Sequence, residues 1–173
     1  MKHHDIHLIC GGTGAGKTTY AIELSARIGG VLFSIDEWMH ILFWMDSPQP
    51  PVAAWSLERV ERCLAQIWST ASQVARCGVS CVLDVGSGRA ADRARLIELA
   101  RAAGLSVQLH FIDVPAEERW RRVHGRNTGR ERVRQLDFEI TREMFDFVES
   151  RWEPPTDDEL SQLDGLRIGS TPQ

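Results

Sequence analysis

Residues 11–18 read Gly-Gly-Thr-Gly-Ala-Gly-Lys-Thr, which is the spacing of a phosphate-binding loop. An apolar run, Ile6 to Cys10, comes before them, and a helix-like run, Thr19 to Ile28, follows. Glycines let the backbone turn so tightly that successive N–H groups surround a phosphate. The helix that follows adds unpaired N–H groups and the positive end of its dipole. The sequence therefore predicts that the phosphates of a nucleotide bind here.

Two side chains of the loop indicate how the phosphates and a metal ion would be held. Lys17 is a mobile positive charge that can reach the β- and γ-phosphates, and the hydroxyl of Thr18 can ligate Mg²⁺. We therefore predict a nucleoside triphosphate as the ligand, with Mg²⁺ as its metal. The residues expected to contact the nucleotide are Gly11, Gly12, Thr13, Gly14, Ala15, Gly16, Lys17, Thr18 and Thr19.

Two aspartates end apolar runs further along the chain. Asp84 closes the run Val82-Leu83-Asp84, where P-loop proteins place a carboxylate that holds Mg²⁺ directly or through water. Asp36 follows the run Val31 to Ile35, where a carboxylate can accept the proton of an attacking hydroxyl. The alternatives are an ordinary strand-end acid at Asp84 and a helix N-cap at Asp36.

Three arginines share one face of a predicted helix, because Arg119, Arg122 and Arg126 are spaced by three and then four residues. Arginines that point inward can offset the charge that develops on a transferred phosphoryl group. Such a helix can close over the nucleotide as a lid, which we expect at about residues 115–134. The alternative is a solvated basic helix that pairs with Glu117 and Glu118. The predicted catalytic residues are Lys17, Asp36, Arg122 and Arg126.

Strand-like and helix-like runs alternate along the chain, which predicts a parallel sheet with helices on both faces. Ligands of such sheets bind at the carboxyl ends of the strands, so the phosphate loop, Asp36, Asp84 and Asp113 should meet at one edge. The predicted strands are Ile6 to Cys10, Val31 to Ile35, Val79 to Val85, Val107 to Ile112 and a short edge strand, Leu166 to Ile168. The predicted helices are Thr19 to Ile28, Leu57 to Arg76, Ala90 to Ala103, Pro115 to about Gly125, and Asp137 to Arg151.

The segment from Trp38 to Trp55 is the least regular part of the sequence. It is rich in aromatic residues and then in proline, which cannot continue a helix or a central strand. Such a segment can form a substrate pocket or lid, or it can be a hydrophobic loop packed on the core. We keep both alternatives.

The composition is that of an ordinary globular protein and fits one domain over residues 1–173, with a C-terminal tail at 156–173. The chain is 43% hydrophobic and 25% charged, and its net charge of −4 argues against avid binding to duplex nucleic acid. No signal peptide and no apolar stretch of membrane-spanning length is visible, so we expect a cytoplasmic monomer or homodimer.

We interpret the four cysteines as reduced core residues and the histidines near the start as a polar lead-in. These residues are Cys10, Cys63, Cys77 and Cys81, and His3, His4 and His7.

Taken together, five segments resemble a bacterial family of small AAA-labelled, zeta-toxin-like ATP-binding proteins that are regarded as kinases. This family is similar to polynucleotide kinase and chloramphenicol phosphotransferase. The resemblance extends over nearly the whole chain, to about Pro155. The segments that carry it are Gly11–Thr18, Phe33–Glu37, Val82–Gly86, Arg119–Asn127 and Met144–Phe147.

The resemblance implies a three-layer, kinase-like P-loop fold with a five-stranded parallel sheet in the order 2-3-1-4-5. It also implies use of ATP and Mg²⁺, a general base at Asp36, and lid arginines at Arg122 or Arg126. One segment departs from the pattern, since Trp38-Met39-His40 stands where polynucleotide kinases carry an arginine for the substrate phosphate. We therefore expect a small, partly hydrophobic hydroxyl compound as acceptor rather than a nucleic-acid 5′ end.

Three functions remain open on the sequence. The first is an ATP-dependent phosphotransferase that acts on a hydroxyl of a small-molecule or nucleotide-like acceptor. The second is a nucleotide-binding regulatory protein or slow NTPase without a small-molecule acceptor. The third is a toxin-like kinase of a cell-wall precursor. Asp36 favours a transferase, because a base after the second strand is useful only where a proton must be removed.

Overall fold

The computed structural model describes residues 3–48, 50, 52–127 and 139–169. Its described part forms a five-stranded parallel sheet with the order β2-β3-β1-β4-β5, which confirms the expected fold class and strand order. The strands are β1 Ile6–Cys10, β2 Val31–Ser34, β3 Cys81–Asp84, β4 Val107–Asp113 and β5 Leu166–Gly169. The helices are α1 Lys17–Ile28, α2 Ile35–Phe43, α3 Ala53–Arg76, α4 Ala90–Ala102, α5 Ala116–Asn127, α6 Arg142–Glu149 and α7 Asp157–Gln162, with a short 3-10 helix at Trp44–Asp46.

Apolar side chains cover both faces of the sheet, which is why its central strand is buried along its whole length. On one face, alternate residues of β1 such as Leu8 pack with Ile67 of α3 and Leu160 of α7. On the other face, Ile9 packs with Leu24 of α1. Burial on both sides fixes the register of β1 between β3 and β4, and so fixes where the phosphate loop leaves the sheet.

The second strand is one residue shorter than the sequence predicts, because a helix begins directly after it. The hydroxyl of Ser34 caps α2 by accepting a hydrogen bond from the backbone N–H of Glu37 (3.4 Å). Ser34 and Glu37 have the spacing of a capping box, and this was the available signal. Asp36 therefore lies in the first turn of α2, and the N-cap role considered for it belongs to Ser34.

The C-terminal region holds one helix that the sequence reading missed. Thr156 caps α7 by accepting a hydrogen bond from the N–H of Glu159 (3.1 Å), and this pair again has capping-box spacing. The short edge strand is confirmed as β5, which pairs in parallel with β4. Helix α6 begins at Arg142, and the predicted start of that helix at Asp137 lies outside the described residues.

Two smaller expectations are settled by burial. Trp38, Met39 and Phe43 pack against the main core, which supports a packing role for the start of the Trp38–Trp55 segment. All four cysteines are free, but Cys77 is exposed where α3 ends, so its assignment to the core is wrong.

Within the described residues, no helix combines the length and the apolar character needed to span a bilayer.

The polar lead-in predicted at the start of the chain is wrong for His4 and His7, which are both buried. His7 lies on β1, and its Nδ1 is 3.0 Å from Nε2 of His110 on β4. Nδ1 of His110 is hydrogen-bonded to the hydroxyl of Tyr20 (2.8 Å). Burial, together with the charges of neighbouring histidines, lowers the pKa of His7 to about 4 and that of His110 to about 3.

This chain of buried histidines should make the protein sensitive to acid. Because the folded pKa values lie below the usual 6.5, the unfolded state takes up protons first as the pH falls below 6.5. The free energy of unfolding should therefore fall by up to about 1.4 kcal/mol per pH unit for each histidine. Urea unfolding of wild type and His110→Gln between pH 7.5 and 5 measures this slope, which should be shallower in the variant.

The matched control is His124→Gln, since His124 is exposed on α5. It should keep the wild-type slope. Equal slopes for wild type and His110→Gln would show that His110 is not a source of the acid sensitivity.

Candidate active site

The phosphate loop leaves β1 and turns tightly into α1. Gly14 and Gly16 have φ angles of 80° and 93°, in the left-handed region that side chains disfavour. A Cβ atom on Gly11 would lie 2.9 Å from the carbonyl oxygen of Ile112, so this position also excludes a side chain. Gly16 is the N-cap of α1 and can offer no side-chain cap, and the first turn of α1 carries no acidic residue. The N–H groups of this helix end are thus placed to bind an anion.

Lys17 and Thr18 follow directly and face the end of β3. The ammonium of Lys17 donates to the carbonyl of Gly12 (3.2 Å). Loss of hydration lowers the pKa of Lys17, and the carboxylates of Asp84 and Asp36 oppose this effect. The hydroxyl of Thr18 donates to Oδ2 of Asp84 (2.7 Å), and Asp84 is buried. A hydroxyl and a carboxylate side by side are the hard oxygen donors that Mg²⁺ takes together with nucleotide phosphates.

Asp36 opens onto the same cleft from the first turn of α2. Loss of hydration and then the nearby Asp84 carboxylate raise the pKa of Asp36, whereas Lys17 and Arg126 lower it. The residue is exposed to the cleft, so solvent screens part of each effect. Asp36 is therefore a carboxylate with a raised proton affinity in the same cleft as the phosphate loop.

The cleft has a volume of about 350 Å³ and brings together six of the predicted site residues, from three separate strand ends. Thr18 contacts it indirectly, through Asp84. The predicted residues that line the cleft are Gly11, Gly12, Thr13, Lys17, Asp36 and Asp84. Those that are not among the lining residues are Gly14, Ala15, Gly16, Thr18, Thr19, Arg122 and Arg126.

Arg119 is buried beneath the phosphate loop rather than placed on an open lid. Its guanidinium forms two hydrogen bonds with the carboxylate of Glu149 (2.6 and 2.7 Å) and donates to the carbonyls of Val114 (2.8 Å) and Thr13 (3.3 Å). A Cβ atom on Gly12 would meet this guanidinium at 2.2 Å. Arg119 therefore supports the loop from behind and requires glycine at position 12.

The other two arginines of α5 differ from each other. Arg122 pairs with Glu118 and donates to the carbonyl of Ala15 (3.3 Å), so it holds the outer side of the loop. Arg126 favours the charged form of Asp36, and its buried Nη2 has no hydrogen-bond partner within the described residues. The predicted lid is described only as far as Asn127, because its remainder lies outside the described residues.

The far wall of the cleft consists of residues that were not among the predicted site residues. Their common feature is position, either in the turn that opens α4 or at the end of α6. They come together because the chain returns to the sheet edge after α5, and no local pattern indicates such a return. The residues are Gly86, Gly88, Arg89, Asp92, Val148, Arg151 and Trp152.

Asp113 was expected to join this group, and it does end β4 at the same sheet edge. Its carboxylate, however, accepts a hydrogen bond from Arg167 of β5 (3.0 Å). Asp113 is not among the cleft-lining residues. It therefore serves the edge of the sheet rather than the site.

Solved structures with this fold include several kinases. A proposed kinase of Chloroflexus aurantiacus has a TM-score of 0.74 and 17% identity, covering 98% of this chain and 90% of its own. The APS kinase CysC of Mycobacterium tuberculosis, solved with AMPPNP and APS, has a TM-score of 0.65 and 18% identity, covering 100% and 92%. A gluconokinase of Sinorhizobium meliloti has a TM-score of 0.68 and 15% identity, covering 99% and 86%. At these identities the likeness concerns the fold.

A search of curated proteins gives no significant match to the sequence. The family model AAA_33, described as an AAA domain, matches residues 6–155. The match starts with β1 and includes the phosphate loop, α5 and the end of α6, so it spans the whole cleft. The chain is therefore a member of the AAA_33 family of AAA domains, with the kinase-like P-loop fold.

Proposed function

We propose that this protein transfers the γ-phosphate of ATP to a hydroxyl group of a small molecule. The observation that carries the proposal is that the carboxylate of Asp36 lines the same cleft as Lys17 and the phosphate loop. A carboxylate with a raised pKa beside a phosphate site is suited to accept a proton from an attacking hydroxyl. A protein that only bound or slowly hydrolysed ATP would have less use for it.

In the proposed reaction, the N–H groups of the loop and the ammonium of Lys17 hold the β- and γ-phosphates of ATP. The acceptor hydroxyl gives its proton to Asp36 while its oxygen bonds to the γ-phosphorus. The bond from that phosphorus to the bridging oxygen breaks, and ADP leaves. The positive charge of Arg126, which favours the charged form of Asp36, is proposed to offset charge on the transferred group.

Thr18 and Asp84 fit a Mg²⁺ ion, because their hydroxyl and carboxylate oxygens lie side by side at the edge of the cleft. When bound, the ion would offset the negative charge of the nucleotide phosphates. Asp84 orients the hydroxyl of Thr18, because that hydroxyl donates its hydrogen bond to the carboxylate.

We place the reaction in the cytoplasm as part of this proposal, in keeping with the four free cysteines.

The kinases of similar fold support the same chemistry, and one of those structures holds the ATP analogue AMPPNP. The direct test is incubation with ATP labelled at the γ-phosphate and a pool of metabolites, followed by separation of labelled products. Label in an organic product supports a phosphotransferase. Release of labelled inorganic phosphate alone would favour a nucleotide-binding regulatory protein or slow NTPase.

Replacement of Asp36 tests the base. Asp36→Asn keeps the size of the side chain but cannot accept the proton, so label transfer should fall about 100- to 10,000-fold. Binding of a fluorescent ATP analogue should stay near the wild-type value, since the phosphate loop is intact. Glu37→Gln, at the neighbouring exposed position, is the matched control and should transfer normally. Wild-type transfer by Asp36→Asn would contradict the assignment.

The pH dependence of transfer tests Arg126. Asp36 must be ionised to act, so kcat should fall as the pH decreases through its pKa. Arg126 favours the charged form of Asp36, so Arg126→Gln should raise that pKa and move the acid limb of the kcat profile to higher pH. Arg121→Gln, at an exposed position of the same helix, should leave the limb in place. An unmoved limb in Arg126→Gln would rule out this coupling.

A Mg²⁺ titration tests Asp84. Asp84→Asn removes the carboxylate charge and weakens the hydrogen bond with the hydroxyl of Thr18. The Mg²⁺ concentration for half-maximal transfer should therefore rise about 10- to 100-fold. A second readout is the increase in the thermal unfolding midpoint that AMPPNP produces with and without Mg²⁺. The difference should shrink in Asp84→Asn and persist in the exposed control Asp158→Asn. An unchanged Mg²⁺ requirement would contradict the metal assignment.

A further inference from the structure

The far wall of the cleft is held together by hydrogen bonds to its backbone. The N–H of Glu153 donates to the carbonyl of Gly88 (3.0 Å), and the buried guanidinium of Arg93 donates to the carbonyl of Glu153 (2.8 Å). The carboxylate of Glu153 accepts a hydrogen bond from the N–H of Ala90 (2.7 Å). The segment after α6 is thereby joined to the start of α4, so the backbone that carries this wall is held in place.

The N-terminus of α4 does not supply an anion site in this wall. The Glu153 carboxylate already binds the N–H of Ala90 there, and it contributes the negative charge that such a helix end attracts. Any anion that enters this side of the cleft must therefore be bound by side chains. Two arginines line it, Arg89 just before α4 and Arg151 just after α6, together with one carboxylate, that of Asp92 in the first turn of α4.

These two arginines differ from the buried ones. The guanidinium of Arg93 forms an ion pair with Glu159, and that of Arg119 forms an ion pair with Glu149. Within the described part of the chain, no hydrogen bond or ion pair occupies the guanidinium of Arg89, and that of Arg151 makes only a stacking contact with the ring of Phe147, 4.4 Å from its centroid. Their donors thus remain available on the wall of a cleft that already holds a phosphate site.

The volume of the cleft and its apolar surface limit what can bind between Arg89 and Arg151. A cleft of about 350 Å³ that must also admit a γ-phosphate has room for a small metabolite only. Trp152 and Val148 give this wall an apolar surface. The ring of Trp152 is fixed from behind by Phe111, at 6.1 Å between ring centroids. A compact molecule with an oxyanion at one end and an apolar hydrocarbon surface along its side fits this wall.

We propose that Arg89 and Arg151 form an anion subsite for the phosphate acceptor, which is a small hydroxyl compound carrying a carboxylate or phosphate group. Guanidinium groups bind both oxyanions through paired hydrogen bonds. The subsite rests on the proposed function, in that Asp36 across the cleft activates the hydroxyl of the same molecule. Arg89 and Arg151 then determine specificity, and the phosphate loop and Asp36 perform the transfer.

The experiment compares acidic compounds with neutral counterparts of nearly the same size. The pairs are gluconate with glucitol, and glycerol 3-phosphate with glycerol, which separate a carboxylate from a phosphate as the preferred anion. Two quantities are measured for each compound on the full chain. One is kcat/KM for label transfer from ATP, and the other is the increase in the thermal unfolding midpoint in the presence of AMPPNP and Mg²⁺.

In at least one pair, the acidic member should exceed its neutral counterpart by about 100-fold in kcat/KM. Arg89→Gln and Arg151→Gln should each lower this value about 10- to 100-fold for the acidic member, mainly through KM, and leave the neutral member unchanged. The midpoint increase from AMPPNP alone should not change. Arg101→Gln, an exposed arginine on α4 away from the cleft, should behave as wild type.

Two results would overturn the anion subsite. The first is that no acidic compound exceeds its neutral counterpart in either measurement. The second is an equal loss of transfer to acidic and neutral compounds in Arg89→Gln and Arg151→Gln, which would assign both arginines to the transferred phosphate instead.

The two proposals fail in distinguishable ways. If acidic compounds raise the unfolding midpoint through Arg89 and Arg151 but no label is transferred, the anion subsite stands and the phosphotransferase does not. If label reaches acidic and neutral compounds equally, the phosphotransferase stands and the anion subsite does not.

Discussion

The buried guanidinium of Arg119 is the contact on which the arrangement of the site depends. A charge inside a protein is tolerated only when a partner charge and hydrogen bonds satisfy it. Glu149 supplies the partner charge, and the carbonyls of Val114 and Thr13 accept further hydrogen bonds. The phosphate loop, the end of β4 and helix α6 are therefore joined at one point. Loss of Glu149 would leave the Arg119 guanidinium buried without its partner charge, and the loop would lose its support.

This contact also explains a feature that the phosphate-loop motif leaves unspecified. The motif needs glycine where the backbone turns or approaches a phosphate. At Gly12 an additional reason comes from behind the loop, where the Arg119 guanidinium occupies the space of a side chain. One face of the loop thus meets the ligand and the other meets an internal cation. Loss of hydration and, to a smaller extent, the Arg119 guanidinium lower the pKa of Lys17, whereas the carboxylates of Asp84 and Asp36 favour its charged form.

The sequence was most informative where local pattern and strand order decide the structure. The loop, the strand order and the convergence of Lys17, Asp36 and Asp84 follow from a specific motif and from the rule that parallel strands end together. The start of α2 and the whole of α7 were not predicted, although both carry capping-box spacing. The role of Arg119 and the contribution of the residues after α6 could not be predicted. Glu149 is distant in sequence, and helical spacing shows which residues share a face without showing what that face meets.

The C-terminal end of the short helix α6 and the residues just after it contact the site twice. Glu149, the last residue of α6, holds Arg119 beneath the phosphate loop, and Glu153 joins the wall that carries Arg89. The phosphate loop and the far wall are thus attached to the same short stretch of chain. Any displacement of α6 on filling one side must act on the other, and thermodynamic linkage makes that effect equal in both directions. The architecture therefore provides a route for cooperative binding of two ligands that touch different walls of one cleft.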